Sequence, residues 1–216
     1  KQESTEEKTS DIIKNSEDIM TLLERDGIKL EEINDYHIYS IADNDTPRLS
    51  ADRLEYSLSN ALFVNELCDI EEIKRFYENI YVGVNEDKEL ELCFDDEHIA
   101  DKFVELTSRL SILYRDDKTR FSMGLLSDIL KWLVKNKLIT IDDLYELSDD
   151  EVVEIINKSR LKDVFDKWAN MKDVKVSKNM PGDYYWVRSR AKIRYIDPLV
   201  NDSRISSLSE NARKNI

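Results

Sequence analysis

Apolar side chains recur at helical spacing along most of this 216-residue chain. From Thr9 to Leu23 they follow a cluster of Thr, Ser and Asp that can cap free amide groups, which predicts a helix. A second helix is predicted beyond Pro47, where one stripe contains Leu54, Leu58, Ala61 and Leu62. The same periodicity predicts further helices from Asp69 onward and over residues 98–114, 121–135, 141–147 and 149–157.

Two capping-box patterns support the helix assignments. Asp69 is followed three residues later by Glu72, and Ser148 is followed by Glu151. In such pairs each side chain bonds the backbone amide of the other residue, which favours a helix start.

The helical pattern is interrupted at three places. Residues 41–48 are rich in Asn, Asp, Thr and Pro, which predicts an ordered loop. Residues 81–94 contain two alternating runs around a turn-forming stretch, which predicts a β-hairpin. Near the end, Arg188, Arg190, Lys192 and Arg194 alternate with less polar residues, which predicts a strand with one basic face and, with residues 174–176, a second hairpin.

These patterns predict a mostly α-helical fold with two small β-hairpins. The chain has only 4 Gly and 3 Pro, too few for the regular tight turns of an all-β fold. We expect a helical domain over residues 1–170 and a C-terminal basic hairpin and tail over residues 171–216.

Charge excludes some function classes. The net charge of −14 disfavours broad contact with nucleic-acid backbones or anionic membranes. No run approaches the length of a membrane span, and Cys68 and Cys93 form no disulfide or zinc motif, so a cytoplasmic location is expected. Two roles are open for the basic strand: binding of an anionic effector, or pairing with acidic surface of this subunit or another. Pairing is preferred because of the net charge of −14, and a homo-oligomer is one form it could take.

Several catalytic motifs are absent from the sequence. It contains no P-loop, no G-x-G-x-x-G, no H-E-x-x-H and no G-x-S-x-G. The two histidines, His37 and His98, are each followed by Ile, and the structural interpretation of both is preferred to a ligand role.

The segment Leu49–Asn60 is the most distinctive part of the chain. Asp52, Tyr56 and Asn60 are spaced by four residues and share a stripe away from the apolar face that contains Leu54. This polar stripe is suited to lining a cleft. The plainer interpretation is that Asp52 favours the helix dipole while Tyr56 and Asn60 are solvated.

The sequence Ala51-Asp52-Arg53-Leu54-Glu55-Tyr56 resembles an element of the HD-domain phosphohydrolases, especially the deoxynucleoside triphosphate triphosphohydrolase branch. Weaker similarity covers Glu6–Ser10, the phrase SEDIMTLLERDGI, residues 109–114 and 138–147, and KIRYIDPLV near the end. The resemblance implies a helical HD-like bundle in which Asp52 is the last ligand of a divalent metal ion. It further implies hydrolysis of a nucleotide or other phosphate ester by metal-activated water.

Other residues are candidates for substrate binding. Tyr56 is a candidate phosphate or sugar contact, and Arg53 could bridge to a neighbouring carboxylate. The cluster of Arg115, Lys118 and Arg120 could meet substrate phosphates, although a solvated helix turn explains it equally well.

The metal ligands that precede the Asp in this family, a His and an adjacent His-Asp pair, are missing from the sequence. A metal held by Asp52 alone would be weakly bound, so we expect no tight metal binding and no activity from this chain alone. The preferred explanation is a C-terminal portion whose His-Asp pair lies upstream. The alternatives are a relative that has lost catalysis and a non-catalytic helical interaction or regulatory module.

Overall fold

A computed structural model describes residues 8–188 and 194–216 and is mostly α-helical, as predicted. Its α-helices are α1 Thr9–Asn15, α2 Glu17–Asp26, α3 Ala51–Ser59, α4 Ile70–Glu78, α5 Glu97–Tyr114, α6 Asp117–Lys135, α7 Asp143–Glu146, α8 Asp149–Lys158, α9 Lys162–Ala169, α10 Ile205–Leu208 and α11 Glu210–Asn215. Short 3-10 turns cover Leu30–Glu32 and Tyr36–Ile38, and a π-helical turn, Asn60–Val64, follows α3 directly. Within these residues no helix is both long enough and apolar enough to cross a membrane.

Local capping chemistry sets most helix starts. The predicted first helix is divided at Ser16, whose hydroxyl accepts from the amide of Ile19 and starts α2. Gly27, at a φ of 69°, ends α2 in the left-handed region that glycine tolerates. Both predicted capping boxes are present, at the starts of α4 and α8.

In the part of the chain that the structure describes, four short strands form one sheet in the order β1-β2-β3-β4. Strands β1 (Ile80–Val84) and β2 (Leu90–Phe94) are the predicted antiparallel hairpin, with Ile80 paired to Phe94. Strand β3 (Leu199–Val200) pairs in parallel with β2, and β4 (Ser203–Arg204) pairs antiparallel with β3.

The second hairpin was predicted in the wrong place. Residues 174–176 form no strand, and the two short strands near the C-terminus are β3 and β4 instead. Arg190 and Lys192 of the predicted basic strand lie outside the described residues, whereas Arg188 and Arg194 are described and exposed.

The chain divides into two units. Unit 1 comprises Lys1–Leu110 with Arg194–Ile216, and unit 2 comprises Ser111–Ile193, so the predicted boundary near residue 170 falls inside unit 2. Unit 1 is centred on three aromatic rings, with Phe103 packed 5.6 Å from Phe76 and 5.2 Å from Phe94. The core of unit 2 consists of buried aliphatic residues from α6, α8 and the loop between α6 and α7: Leu125, Ile129, Leu133, Ile139 and Ile156.

Charge is divided unevenly between the units. Unit 2 has 16 Lys and Arg against 14 Asp and Glu, a net of +2. The rest of the chain has 16 against 32, a net of −16. The acidity of the protein therefore belongs to unit 1.

Candidate functional site

The start of α3 presents Asp52 without using it as a cap. Ser50 is the N-cap, and its hydroxyl accepts from the Arg53 amide at 3.3 Å. Asp52 lies in the first helical turn with an exposed side chain. Within residues 8–188 and 194–216, its carboxylate forms no hydrogen bond or ion pair, which leaves both oxygens available to a ligand.

The buried face of α3 holds this helix in place. Leu54 and Leu58 are 4% and 2% exposed, so the prediction that this stripe faces the core is confirmed for them. At the start of α3, the amide of Ala51 donates to the carbonyl of Ile41 at 2.8 Å, and the amide of Asp52 donates to the carbonyl of Ala42 at 3.1 Å. These contacts join the first turn of α3 to the loop before it.

Arg53 organises the predicted loop. Its Nη1 donates to Asn44 Oδ1 at 2.6 Å and to the Arg48 carbonyl at 2.7 Å, and its Nη2 donates to the Asn44 carbonyl. The same guanidinium is 4.0 Å from the Asp43 carboxylate. Burial lowers the pKa of Arg53, an effect opposed by the nearby Asp43, Asp52 and Asp45 carboxylates.

A buried ion pair lies behind the loop and was not predicted. Glu91 of β2 is fully buried, and Arg204 donates to both of its carboxylate oxygens, at 2.7 and 3.0 Å. The same carboxylate accepts from the Leu49 amide at 3.0 Å and from Asn85 at 3.2 Å. Because Leu49 immediately precedes the cap residue Ser50, this network fixes the approach to α3.

Arg204 makes further contacts that explain its charge state. It donates to both oxygens of Glu86, at 2.8 and 2.9 Å, and to the carbonyl of Asp197 at 2.8 Å. Burial alone would lower the pKa of Arg204, but the bonds to Glu91 and Glu86 outweigh it and raise the pKa. The cation is therefore permanent and compensates the buried carboxylate.

Tyr56 and Asn60, the other members of the polar stripe, differ in their surroundings. Tyr56 lies one turn beyond Asp52 and is 47% exposed. Asn60 uses its side-chain amide to donate to the Tyr56 carbonyl at 2.7 Å, where α3 changes into the π-helical turn. Asn60 is therefore engaged by its own helix, and the exposed side chains of the stripe are those of Asp52 and Tyr56.

The other predicted phosphate contacts belong to unit 2. Arg115 and Lys118 are exposed around the start of α6, where Asp116 is the N-cap and accepts from two amides. Arg120 is partly buried and its guanidinium pairs with Asp117. Its Nε is buried with no hydrogen-bond partner within the described part of the chain. Arg120 is thus engaged by its own helix, whereas Arg115 and Lys118 remain accessible.

The histidines lie apart from any cluster of metal-ligating side chains. His37 is exposed, stacks on Tyr36 and lies 3.1 Å from Asp35 Oδ1. His98 is exposed in the first turn of α5. Among the described residues there is no group of three or more His, Cys, Asp and Glu side chains placed to hold a metal ion.

Sequence reasoning did not single out Glu91, which lies within one of the two alternating runs that predict the hairpin. No local signal identifies Arg204, which lies 113 residues further along the chain. The available signal was the position of Glu91 between the apolar residues Leu90 and Leu92. A carboxylate that is buried with such neighbours needs a charged or hydrogen-bonding partner.

No family model, no curated protein and no solved structure matches this chain. The HD-domain resemblance therefore depends on the sequence around Asp52.

Proposed function

We propose that this chain contributes one carboxylate ligand, Asp52, to the divalent metal site of a phosphohydrolase that acts on a nucleotide or another phosphate ester. The observation that carries the proposal is an exposed carboxylate in the first turn of α3 whose capping role is taken by Ser50. An acidic residue at this position is explained by capping, by an ion pair or by the helix dipole. Within the described residues the first two explanations do not apply, which leaves the helix dipole as the alternative to a ligand role.

The rigidity of the α3 start supports the same proposal. A metal ligand works best when its backbone is held by packing and by hydrogen bonds in the surrounding shell. The backbone of Asp52 is bonded to Ala42, the loop is held by Arg53, and the residue before the cap is held by Glu91. Such support is more than a solvated surface helix requires.

The described residues do not complete a metal site by themselves. Asp52 is one ligand, and a divalent cation needs several ligands in fixed geometry for tight binding. The proposal therefore assigns the His and the His-Asp pair to polypeptide other than this chain. It follows that the isolated chain binds Mn²⁺ weakly and hydrolyses no phosphate ester.

The remaining candidate residues take different roles within this proposal. Tyr56, exposed one turn from Asp52, is proposed to contact the substrate. Arg53 is proposed to position the loop, because its guanidinium already binds Asn44 and Arg48. Arg115, Lys118 and Arg120 stay predictions as phosphate contacts.

A non-catalytic helical interaction or regulatory module is the second candidate function. It is favoured by the absence of a three-ligand group among residues 8–188 and 194–216. In that case Asp52 would be a solvated acidic residue at a helix N-terminus, where the dipole favours it. The two functions differ in what the loss of this carboxylate does.

The test compares Asp52→Asn with Glu55→Gln in the protein expressed from its own gene. Both changes remove one exposed negative charge from α3 and leave the chain length and packing unchanged. Hydrolysis of a panel of nucleotides and of p-nitrophenyl phosphate is measured with Mn²⁺. We expect Asp52→Asn to lower activity by about 100-fold or more, because even supporting residues of metal sites cost roughly 10- to 100-fold. Glu55→Gln should stay close to wild type.

Three results would count against the proposal. Equal activity of wild type and Asp52→Asn would remove Asp52 from the metal site. An inactive natural gene product would favour the interaction module. Turnover by the 216-residue chain alone that disappears in Asp52→Ala would contradict the assignment of the other ligands to a different polypeptide, because it would mean that the chain completes its own site.

A further inference from the structure

A segment of unit 2 that the phosphohydrolase proposal does not use lies along one face of α6. We call residues 183–188 the α6 strap. Tyr185 donates its hydroxyl to the Asp128 carboxylate at 2.8 Å, and its ring meets Phe121 edge-on with 5.8 Å between centroids. Val187 fills the space over Gly124, where an added Cβ would lie 2.3 Å from Val187 Cγ1.

The three α6 residues beneath the strap share one helix face. Phe121, Gly124 and Asp128 are separated by three and four positions, the spacing of neighbours on a helix surface. The strap is therefore held by two alternate residues, Tyr185 and Val187, through an aromatic contact, a hydrogen bond and a close backbone approach. Burial and the bond to Asp128 raise the pKa of Tyr185, so its phenol stays protonated and donates.

The strap also presents exposed side chains. Tyr184 is 79% exposed, the anchored Tyr185 is 50% exposed, Trp186 is 42% exposed and Arg188 is exposed. These three aromatic rings and the cation lie within five consecutive residues. The strap thus presents aromatic surface to solvent beside a cation.

Cations also precede the strap. Lys172, Lys175 and Lys178 are exposed, and neither they nor Arg188 has an ion-pair partner within the described residues. Residues 172–188 hold these four cations against Asp173 and Asp183. Exposed aromatic rings and cations that are unpaired among the described residues therefore occur together in one short stretch of a strongly acidic protein.

The division of charge makes an anionic ligand possible here. The net charge of −14 led us to expect no broad nucleic-acid binding, but that value is the sum of −16 in unit 1 and +2 in unit 2. A local site in unit 2 is not governed by the average over the chain, since exposed charges are screened beyond about 10 Å at 0.1 M salt.

We propose that the α6 strap and the basic residues before it bind single-stranded nucleic acid. Aromatic side chains stack on unpaired bases of any sequence, while nearby cations contact the phosphates. A double helix hides its bases from such stacking, so duplexes bind less tightly. An acidic protein partner fits less well, because lysine is depleted at protein–protein interfaces, and three of the four cations are lysines.

The test measures fluorescence anisotropy of labelled dT12 and rU12 with the full 216-residue chain at 50 mM salt. Trp186→Ala and Tyr184→Ala should each weaken binding by roughly 5- to 150-fold, the value of one base stack. Phe63→Ala is the matched control, because Phe63 is also 79% exposed but belongs to unit 1. Trp186→Phe keeps a ring and should retain more of the affinity, which separates stacking from any loss of folding.

The salt dependence tests the cations separately. Four phosphate contacts predict a slope of about −3 for log K against log salt, and Lys175→Gln should reduce its magnitude by about 0.7. Lys135→Gln, an exposed lysine on α6, is the control and should leave the slope unchanged.

Three results would overturn the proposal. The first is no binding of either oligonucleotide at 100 µM protein. The second is binding that does not change in Trp186→Ala and Tyr184→Ala. The third is equal competition by polyglutamate or base-free polyphosphate, which would identify a surface for acidic proteins or for polyanions in general. None of these results depends on Asp52, so the two proposals can fail independently.

Discussion

Replacing Arg204 by methionine removes the cation from the buried network behind the α3 start. The side chain of Arg204 is 16% exposed and that of Glu91 is fully buried. Methionine keeps much of the arginine stem volume but supplies no donor. The Glu91 carboxylate would then keep only the Leu49 amide and the Asn85 side chain as donors.

The cost follows from the burial of the remaining charge. Removing one partner of a buried ion pair typically costs about 3–5 kcal/mol, because the other charge is left uncompensated. Contacts to Glu86 and to the Asp197 carbonyl are lost as well, but Glu86 is exposed and can regain water. We expect the loss to be about 3 kcal/mol or more, a large part of the 5–15 kcal/mol that stabilises a typical domain.

The assay must report on unit 1. All three tryptophans, Trp132, Trp168 and Trp186, belong to unit 2, so tryptophan fluorescence is a poor probe of this change. Hydrogen exchange followed by mass spectrometry measures the opening free energy of peptides from β2 and from β3 to α10. Urea unfolding followed by circular dichroism provides an independent value of the total loss.

Two comparison variants make the result interpretable. Lys214→Met breaks the exposed Lys214–Glu210 pair and should leave stability essentially unchanged. The double variant Glu91→Gln with Arg204→Met should be more stable than Arg204→Met alone, because the uncompensated charge is gone. The reasoning is refuted if Arg204→Met unfolds like Lys214→Met, or if neutralising Glu91 restores nothing.

Two further predictions concern close packing and thiol burial. Gly124→Ala places a methyl group where Val187 lies, so the strap should be displaced from α6 and tryptic cleavage after Arg188 should accelerate. Adding Val187→Ala should restore the wild-type cleavage rate. Unchanged cleavage in Gly124→Ala would contradict the close approach. Cys93 is 1% exposed, and burial raises its pKa to about 11. At pH 8 the folded chain should therefore react with Ellman's reagent at Cys68 only. Any reaction of the folded Cys68→Ser variant would show that Cys93 is accessible.

Elements defined by near neighbours in the sequence could be predicted. The capping boxes that begin at Asp69 and Ser148 involve residues three positions apart, and both are present. The hairpin of β1 and β2 is likewise local, because its turn joins adjacent strands. Helix periodicity depends on one-sided burial, and Leu54 and Leu58 are indeed buried.

Features that depend on distant partners could not be predicted. The parallel pairing of β2 with β3 joins Cys93 to Leu199, and no local pattern specifies it. The predicted basic strand was based on the alternation of Arg188, Arg190, Lys192 and Arg194, and nothing in the sequence identified Tyr185 as a contact of α6. In the structure, Tyr185 and Val187 pack on α6, and Tyr185 bonds Asp128, which lies 57 residues earlier in the chain.

The candidate site divides in the same way between local and distant determinants. The position of Asp52 in the first turn of a helix could be predicted from the motif, but the support of that turn could not, because Glu91 and Arg204 come from elsewhere in the chain. This division yields a combined expectation. If Asp52 is a metal ligand, Arg204→Met should lower Mn²⁺-dependent hydrolysis by the natural gene product even at temperatures where the variant remains folded, since a ligand displaced by about 1 Å loses much of its function. If Asp52 is only a solvated residue, Arg204→Met should cost stability and leave every measured activity of the folded protein unchanged.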